Sequence, residues 1–198
     1  GYEPGSTLKP FVGLAGLEYG LRTTRDTTLS TGAFRLPGHE REYRDWRRGG
    51  HGHVNLGEAM AQSVNTYFFQ LAVDLGIERM SSYLGRFGFG QPTGIDLLGE
   101  ASGVLPSPQW KRTNRSQPWY PGETVIAGIG QGFWVVTPLQ LAQATQMLAN
   151  GGLKYAPHLL RATQARFDAP PVLESWPAPG PAMVQNPANL QAVTQAMV

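Results

Sequence analysis

The sequence contains no cysteine. That excludes disulfides, thiol nucleophiles, iron–sulfur clusters and cysteine-based zinc sites. Charge is scarce as well, at 15% of residues, against roughly 25% in an average domain. The net charge of +2 is too small to argue for nucleic acid or an anionic membrane surface as a partner. No apolar run approaches the roughly 18 residues that a membrane-spanning helix needs. No stretch carries the pattern of a signal peptide. Lysine is rare: only Lys9, Lys111 and Lys154 stand against 13 arginines.

What is present is a loop-rich chain with a core. Glycine (25) and proline (16) make up about a fifth of 198 residues, and 41% of residues are hydrophobic, enough to bury a core and argue against disorder. The chain opens on Gly1 rather than Met, and its first motif lies almost at the first residue. The expectation is therefore a piece of a longer protein.

Residues 6–19 read as a helix, with Leu8, Phe11, Val12, Leu14, Ala15 and Leu17 at helical spacing and Gly20 as the stop. Pro10 is tolerable in its first turn. Gly13 and Gly16 would let another element approach. Residues 33–36 and 41–46 suit a small hairpin joined through Leu36-Pro37-Gly38-His39. Asn55 suits the cap of a helix to about Gln62, and Asn65 the cap of the next, which Gly76 ends. Another short helix follows over 77–86. Residues 88–109 look irregular. Thr137-Pro138 starts a helix closed by Gly151-Gly152. Residues 152–160 read as a strand, 168–187 as a proline-rich surface connection, and Asn186-Pro187 as the start of a last helix. The fold class is mainly α with a small β-hairpin.

Three constellations could carry chemistry. Ser6 and Lys9 stand one helical turn apart on one face. A serine nucleophile needs a base, and a lysine serves when burial lowers its pKa. The plain alternative is a serine cap beside a snorkelling lysine. Ser63-Val64-Asn65 falls in the break between two helices, so hydroxyl and carboxamide can face one cleft. Taken alone, the motif reads first as a plain cap of the helix that follows. Gly128-Ile129-Gly130-Gln131-Gly132 is neither a phosphate loop nor a dinucleotide fingerprint, and suits close backbone packing. Asp45, His51 and His53 form a loose polar group, too few for a metal site of three or four ligands. A Ser–His–Asp arrangement based on His51 is conceivable, but no G-x-S-x-G elbow supports it.

Together these motifs resemble those of class B penicillin-binding proteins, whose signature is S-x-x-K, S-x-N and K-[ST]-G. Tyr2-Glu3-Pro4-Gly5-Ser6-Thr7-Leu8-Lys9-Pro10-Phe11 is similar to the first motif. Ser63-Val64-Asn65 is similar to the second, and follows Ser6 by 57 residues. Phe87–Gly90, Thr93–Leu97 and Thr137–Ala142 fit as well, so the likeness covers about residues 1–160. Leu36 to Gly52 and Trp119 to Trp134 resemble the elongation-specific subgroup, penicillin-binding protein 2. The third motif is missing, because no lysine here precedes Thr/Ser-Gly.

The resemblance implies a peptidoglycan D,D-transpeptidase working through a serine acyl-enzyme, with Ser6, Lys9, Ser63 and Asn65 as catalytic residues and no cofactor. Residues 1–198 would then be the helical subdomain of an α/β serine transpeptidase domain of the β-lactamase type. The strand bearing K-[ST]-G would lie beyond Val198, and the fragment alone would be inactive. Implied partners are stem peptides, β-lactams, a membrane glycan polymerase and elongation-complex proteins, with no nucleic acid. The implied location is the periplasmic face of the inner membrane, with an anchor upstream. Some members resemble zinc binders at positions falling here on about Ser30, Asp45, His51 and Val64. Val64 cannot ligate, so no stable zinc is expected. A β-lactamase or β-lactam sensor of the same fold, and a non-catalytic interaction module, are the alternative readings.

Overall fold

All 198 residues are described by a computed structural model. Local signals place most of its helices. Helix α1 spans Lys9–Glu18, with Pro10 in its first turn, and is preceded by a 3₁₀ turn over Gly5–Leu8. Helix α2 (Leu56–Ala61) starts at a capping box, Asn55 and Glu58 each satisfying the other's backbone N–H. Helix α3 (Asn65–Gly85) is two helical segments across a kink at Gly76, whose φ of 73° only glycine adopts freely. Helix α6 (Pro138–Ala149) begins at the expected Thr137 cap, with Gln140 closing the box. Helix α7 (Pro187–Ala196) begins at Asn186.

The core is one cluster centred on α1 and α3. Phe11, Leu14, Tyr67, Phe68, Leu71, Met80, Tyr83, Phe87, Phe89 and Trp134 are among its buried members. Phe11 meets Phe87 and Phe89 edge-on, with ring centroids 5.2 Å away in each case. The small residues of α1 serve this packing. A side chain at Gly13 would strike Leu56, and one at Gly16 would strike Leu71.

Strand is sparse and comes only as antiparallel pairs. The expected hairpin is β2 (Ala33–Arg35) on β3 (Glu42–Arg44). A second pair, β1 (Thr28–Ser30) on β4 (Gly52–Val54), encloses it and was not foreseen. A third is β5 (Ala162–Thr163) on β6 (Val172–Leu173). The strand expected over 152–160 is absent. Its backbone is paired by side chains instead: Gln143 Nε2 donates to the Tyr155 carbonyl at 2.8 Å, and the Asp96 carboxylate accepts from the Leu159 and Leu160 N–H groups. Two helices escaped the sequence reading, α4 (Pro108–Arg115) and α5 (Pro121–Ala127). No helix is long and apolar enough to cross a membrane.

Candidate functional site

Ser6 is exposed and lies in the 3₁₀ turn that leads into α1. Its approach is clamped from a distant stretch. Tyr2 and Val136 exchange backbone hydrogen bonds at 2.9 Å, the Gly5 N–H donates to the Gly130 carbonyl at 2.8 Å, and the Gly132 N–H donates to Glu3 Oε1 at 2.9 Å. Gly130 has φ +72°, and a β-carbon there would run into the Gly5 carbonyl. Gly130 and Gly132 therefore brace the backbone just before Ser6, while Gly128 lets this stretch pack on Ala72 and Phe68 of α3. This is the close packing that their spacing suggested.

The second motif is built on a helix end. Ala61 is the last residue of α2 and Gln62 its cap. The Ser63 N–H donates to the Met60 carbonyl at 3.0 Å, and the Val64 N–H to the Ala59 carbonyl at 2.8 Å. These two bonds define a Schellman ending, in which the residue at Ser63's place is usually glycine because it takes a left-handed conformation. Ser63 takes it with φ 53°. Asn65 then opens α3, but not as its cap, contrary to the sequence expectation. It is the first helical residue, and Val64 stands in the cap place with no side-chain hydrogen bond to offer. The Asn65 side chain is occupied elsewhere.

It is occupied by Lys9. The Lys9 ammonium, on a residue only 2% exposed, donates to Asn65 Oδ1 at 2.7 Å, to the Ser63 carbonyl at 2.7 Å and to Ser63 Oγ at 3.0 Å. Ser63 Oγ in turn lies 3.0 Å from Ser6 Oγ. The Phe68 ring centroid is 5.4 Å from Lys9 Nζ and helps exclude water. Burial pushes the Lys9 pKa down to about 8, against the opposing pull of the Asp45 charge. All four residues picked from the sequence thus converge, and Ser63 bridges the other two reactive side chains.

The hairpin residues do something else. The side chains of Asp45 and His51 are wholly buried and 3.4 Å apart. The His51 ring nitrogens face Asp45 Oδ1 and Gln62 Oε1. Neither is left for a serine, so the Ser–His–Asp arrangement is excluded. His53 is exposed on β4, opposite Leu29, and takes no part. As a zinc site the group does not fit. Val64 is buried without a donor atom, and only Asp45 and His51 offer strong ligands. Both Asp45 oxygens are already held, Oδ1 by the Trp46 N–H at 2.8 Å and Oδ2 by the Thr66 N–H at 2.8 Å. Thr66 and Ser30, whose hydroxyls are 2.6 Å apart, complete this network. The sequence marks Ser30 only as a place where zinc-binding relatives carry a ligand, and does not mark Thr66 at all, although a threonine directly after Asn65 was there to be seen.

A model of the penicillin binding protein transpeptidase domain matches residues 1–197. The chain belongs to that family. Its relatives agree on the subgroup. The chain is 44% identical over 162 residues to the peptidoglycan D,D-transpeptidase MrdA of Escherichia coli K12, covering 82% of this chain and 26% of that protein. It superposes on Pseudomonas aeruginosa penicillin-binding protein 2, solved in complex with WCK 5153, with a TM-score of 0.88 at 46% identity. That match covers 99% of this chain and 43% of the other. Penicillin-binding protein 2 of Helicobacter pylori, solved in complex with MreC, superposes with a TM-score of 0.86 at 32% identity, over 99% and 34% of the two chains. The chain therefore spans about a quarter of the MrdA relative's length. Seven helices and little strand correspond to a helical part of this transpeptidase domain.

Proposed function

We propose that this chain forms the acylation centre of a peptidoglycan D,D-transpeptidase of cell elongation, at the periplasmic face of the inner membrane. The observation that carries this is the unbroken contact Ser6 Oγ–Ser63 Oγ–Lys9 Nζ, with 3.0 Å at each step and a lysine whose pKa is about 8. Near pH 7–8 an appreciable fraction of such a lysine is the free amine, a competent base.

The chemistry follows from the contacts. Ser6 Oγ attacks the carbonyl carbon of the D-Ala–D-Ala bond in a stem peptide. Its proton passes to Ser63 Oγ as the Ser63 proton passes to Lys9. The Ser6 N–H, in the first turn of a helix and free of an upstream partner, stabilises the oxyanion. When the intermediate collapses, the C–N bond breaks and the leaving amine recovers the proton from Lys9 through Ser63. Asn65 holds the Lys9 amine in place. The amine of a second stem peptide then attacks the Ser6 ester and forms the cross-link. A β-lactam follows the same first step, and its opened ring stays on Ser6. Elongation-complex proteins and a membrane glycan polymerase are the partners that fit this role.

We place the second oxyanion donor and the grip on the substrate carboxylate on a strand bearing K-[ST]-G, outside these 198 residues. Loss of one oxyanion donor costs on the order of 10²–10³ in rate. The test is intact-mass labelling with a reporter penicillin. The complete enzyme should take one equivalent on Ser6, with an acyl-enzyme lasting hours, and residues 1–198 alone should take almost none. Rapid stoichiometric labelling of residues 1–198 would overturn the missing-strand reading. A subsecond acyl-enzyme would point to a β-lactamase, and no labelling of the complete enzyme would leave an interaction module.

A further inference from the structure

Helix α3 carries the second motif but starts without a cap of its own. Its cap place holds Val64, buried and with a side chain unable to accept a hydrogen bond. The N–H groups of a helix's first turn need acceptors, and a helix start without a cap is destabilised. The acceptor here arrives from 21 residues away in sequence. Asp45 Oδ2 accepts from the Thr66 N–H at 2.8 Å, and the Thr66 hydroxyl lies 3.0 Å from the same oxygen. A carboxylate at a helix N-terminus also meets the favourable end of the helix dipole.

Asp45 is itself fixed from every side. Its N–H donates to the Gly32 carbonyl at 2.8 Å, and its Oδ1 accepts from the Trp46 N–H and faces His51 Nε2. His51 reaches back to Gln62, one residue before Ser63, and Trp46 Nε1 donates to the Gln62 carbonyl at 3.1 Å. The hairpin thus grips both flanks of Ser63-Val64-Asn65, at Gln62 and at Thr66. It makes no hydrogen bond to Ser63 or Asn65 themselves.

We propose that Asp45 is a positioning residue for the second motif: as the cap of α3, delivered by the hairpin, it sets the depth at which Asn65 and Ser63 meet Lys9. The proposal rests on the acylation reading above. The Lys9 contacts it protects are 2.7–3.0 Å long. A displacement of about 1 Å in such a constellation can cost on the order of 10²-fold in rate. Asp45 acts through Thr66 and the helix start, without touching substrate. Its charge also opposes the fall of the Lys9 pKa, so loss of the charge alone would free more amine and speed acylation, opposite in sign to the slowing expected here.

The experiment uses the complete enzyme and the variants Asp45→Ala and Asp45→Asn. Two quantities are read from a reporter-penicillin time course: the acylation rate constant and the final amplitude. Asp45→Ala should slow the rate constant at least tenfold while the folded protein still labels fully. Asp45→Asn keeps an acceptor for the Thr66 N–H and should fall between, at least threefold below the parent. If Asp45→Ala does not fold, Asp45→Asn alone decides. A role confined to stability would lower the amplitude and leave the rate constant within twofold, which overturns the proposal. Amide hydrogen exchange over residues 63–68 is measured on the same proteins. It should speed up in Asp45→Ala, and this holds whether or not the parent takes penicillin, so failure of the acylation reading is seen separately. Unchanged exchange there overturns the cap.

Discussion

Two of the three lysines are buried, and they live in opposite surroundings. Lys111, 1% exposed, donates to Glu123 Oε1 at 2.5 Å, with the Tyr120 ring centroid 4.3 Å away. Glu123 is held in turn by the Tyr120 N–H. Lys9 is equally buried, yet its three acceptors are a carboxamide, a carbonyl and a hydroxyl. No carboxylate touches it. Burial alone therefore does not make a base. The neutral acceptors around Lys9 position its amine and leave the desolvation cost standing, which is what lowers its pKa.

The largest effect expected from this contrast is on acylation. In the complete enzyme, Lys9→Met should cut the acylation rate constant by 10³-fold or more, because Ser6 loses its proton acceptor. Lys111→Met should leave it within twofold. A large loss from Lys111→Met with the fold intact would mean that the second cluster also serves the reaction.

A sharper version turns one environment into the other. Asn65→Asp places a carboxylate where Lys9 now meets a carboxamide at 2.7 Å. An opposite charge at that distance favours the ammonium by one to three pKa units. The sign is then fixed. The parent rate should climb as pH rises through about 8 and Lys9 becomes the free amine. The variant's rise should move to higher pH, so it falls roughly 10- to 1,000-fold at pH 7 and regains much of the loss near pH 10. A pH-independent loss would show that Asn65 acts mainly through its NH₂ group rather than by leaving Lys9 unpaired.

Much of this centre was legible because its signals are local. The i, i+3 stripe of Ser6 and Lys9, the helix break at Ser63, and the caps at Asn55, Thr137 and Asn186 are short-range patterns read directly from residue types. The misses have two causes: weak local signals, and partners distant in sequence. Helix α4 is almost wholly polar, Pro-Gln-Trp-Lys-Arg-Thr-Asn-Arg, and offers no apolar stripe; its one buried side chain is Lys111. Helix α5 is under two turns long. The strand expected over 152–160 had the right composition, but Gln143 and Asp96, distant in sequence, took its hydrogen bonds. Asn65 looked like a cap because asparagine usually is one. The actual cap, Asp45, comes from another element, and no window of sequence around Asn65 contains it.

A third contrast concerns stability. Glu123→Gln should leave Lys111 buried without its counter-charge and cost about 1–3 kcal/mol, since Glu123 retains partial exposure. For a chain of this size that is a fall of several degrees in Tm. Acylation per folded molecule should not change. An unchanged Tm would mean that water replaces Glu123 at no cost.

The smallest expected effect on stability separates the two regions by a shared feature. Each holds one non-glycine residue in the left-handed region, Ser63 (φ 53°) after α2 and Ser116 (φ 51°) after α4. That conformation costs a residue with a β-carbon about 1–2 kcal/mol relative to glycine, partly offset by glycine's greater freedom in the unfolded chain. Ser116→Gly should therefore stabilise by about 0.5–1 kcal/mol, read as a small rise in Tm, with acylation untouched. Ser63→Gly relieves the same strain but removes the hydroxyl that joins Lys9 to Ser6. Its gain in Tm should be smaller, and its acylation rate constant should drop on the order of 10²-fold. Equal acylation in the two variants would reduce Ser63 to a helix terminator and leave Lys9 to reach Ser6 unaided.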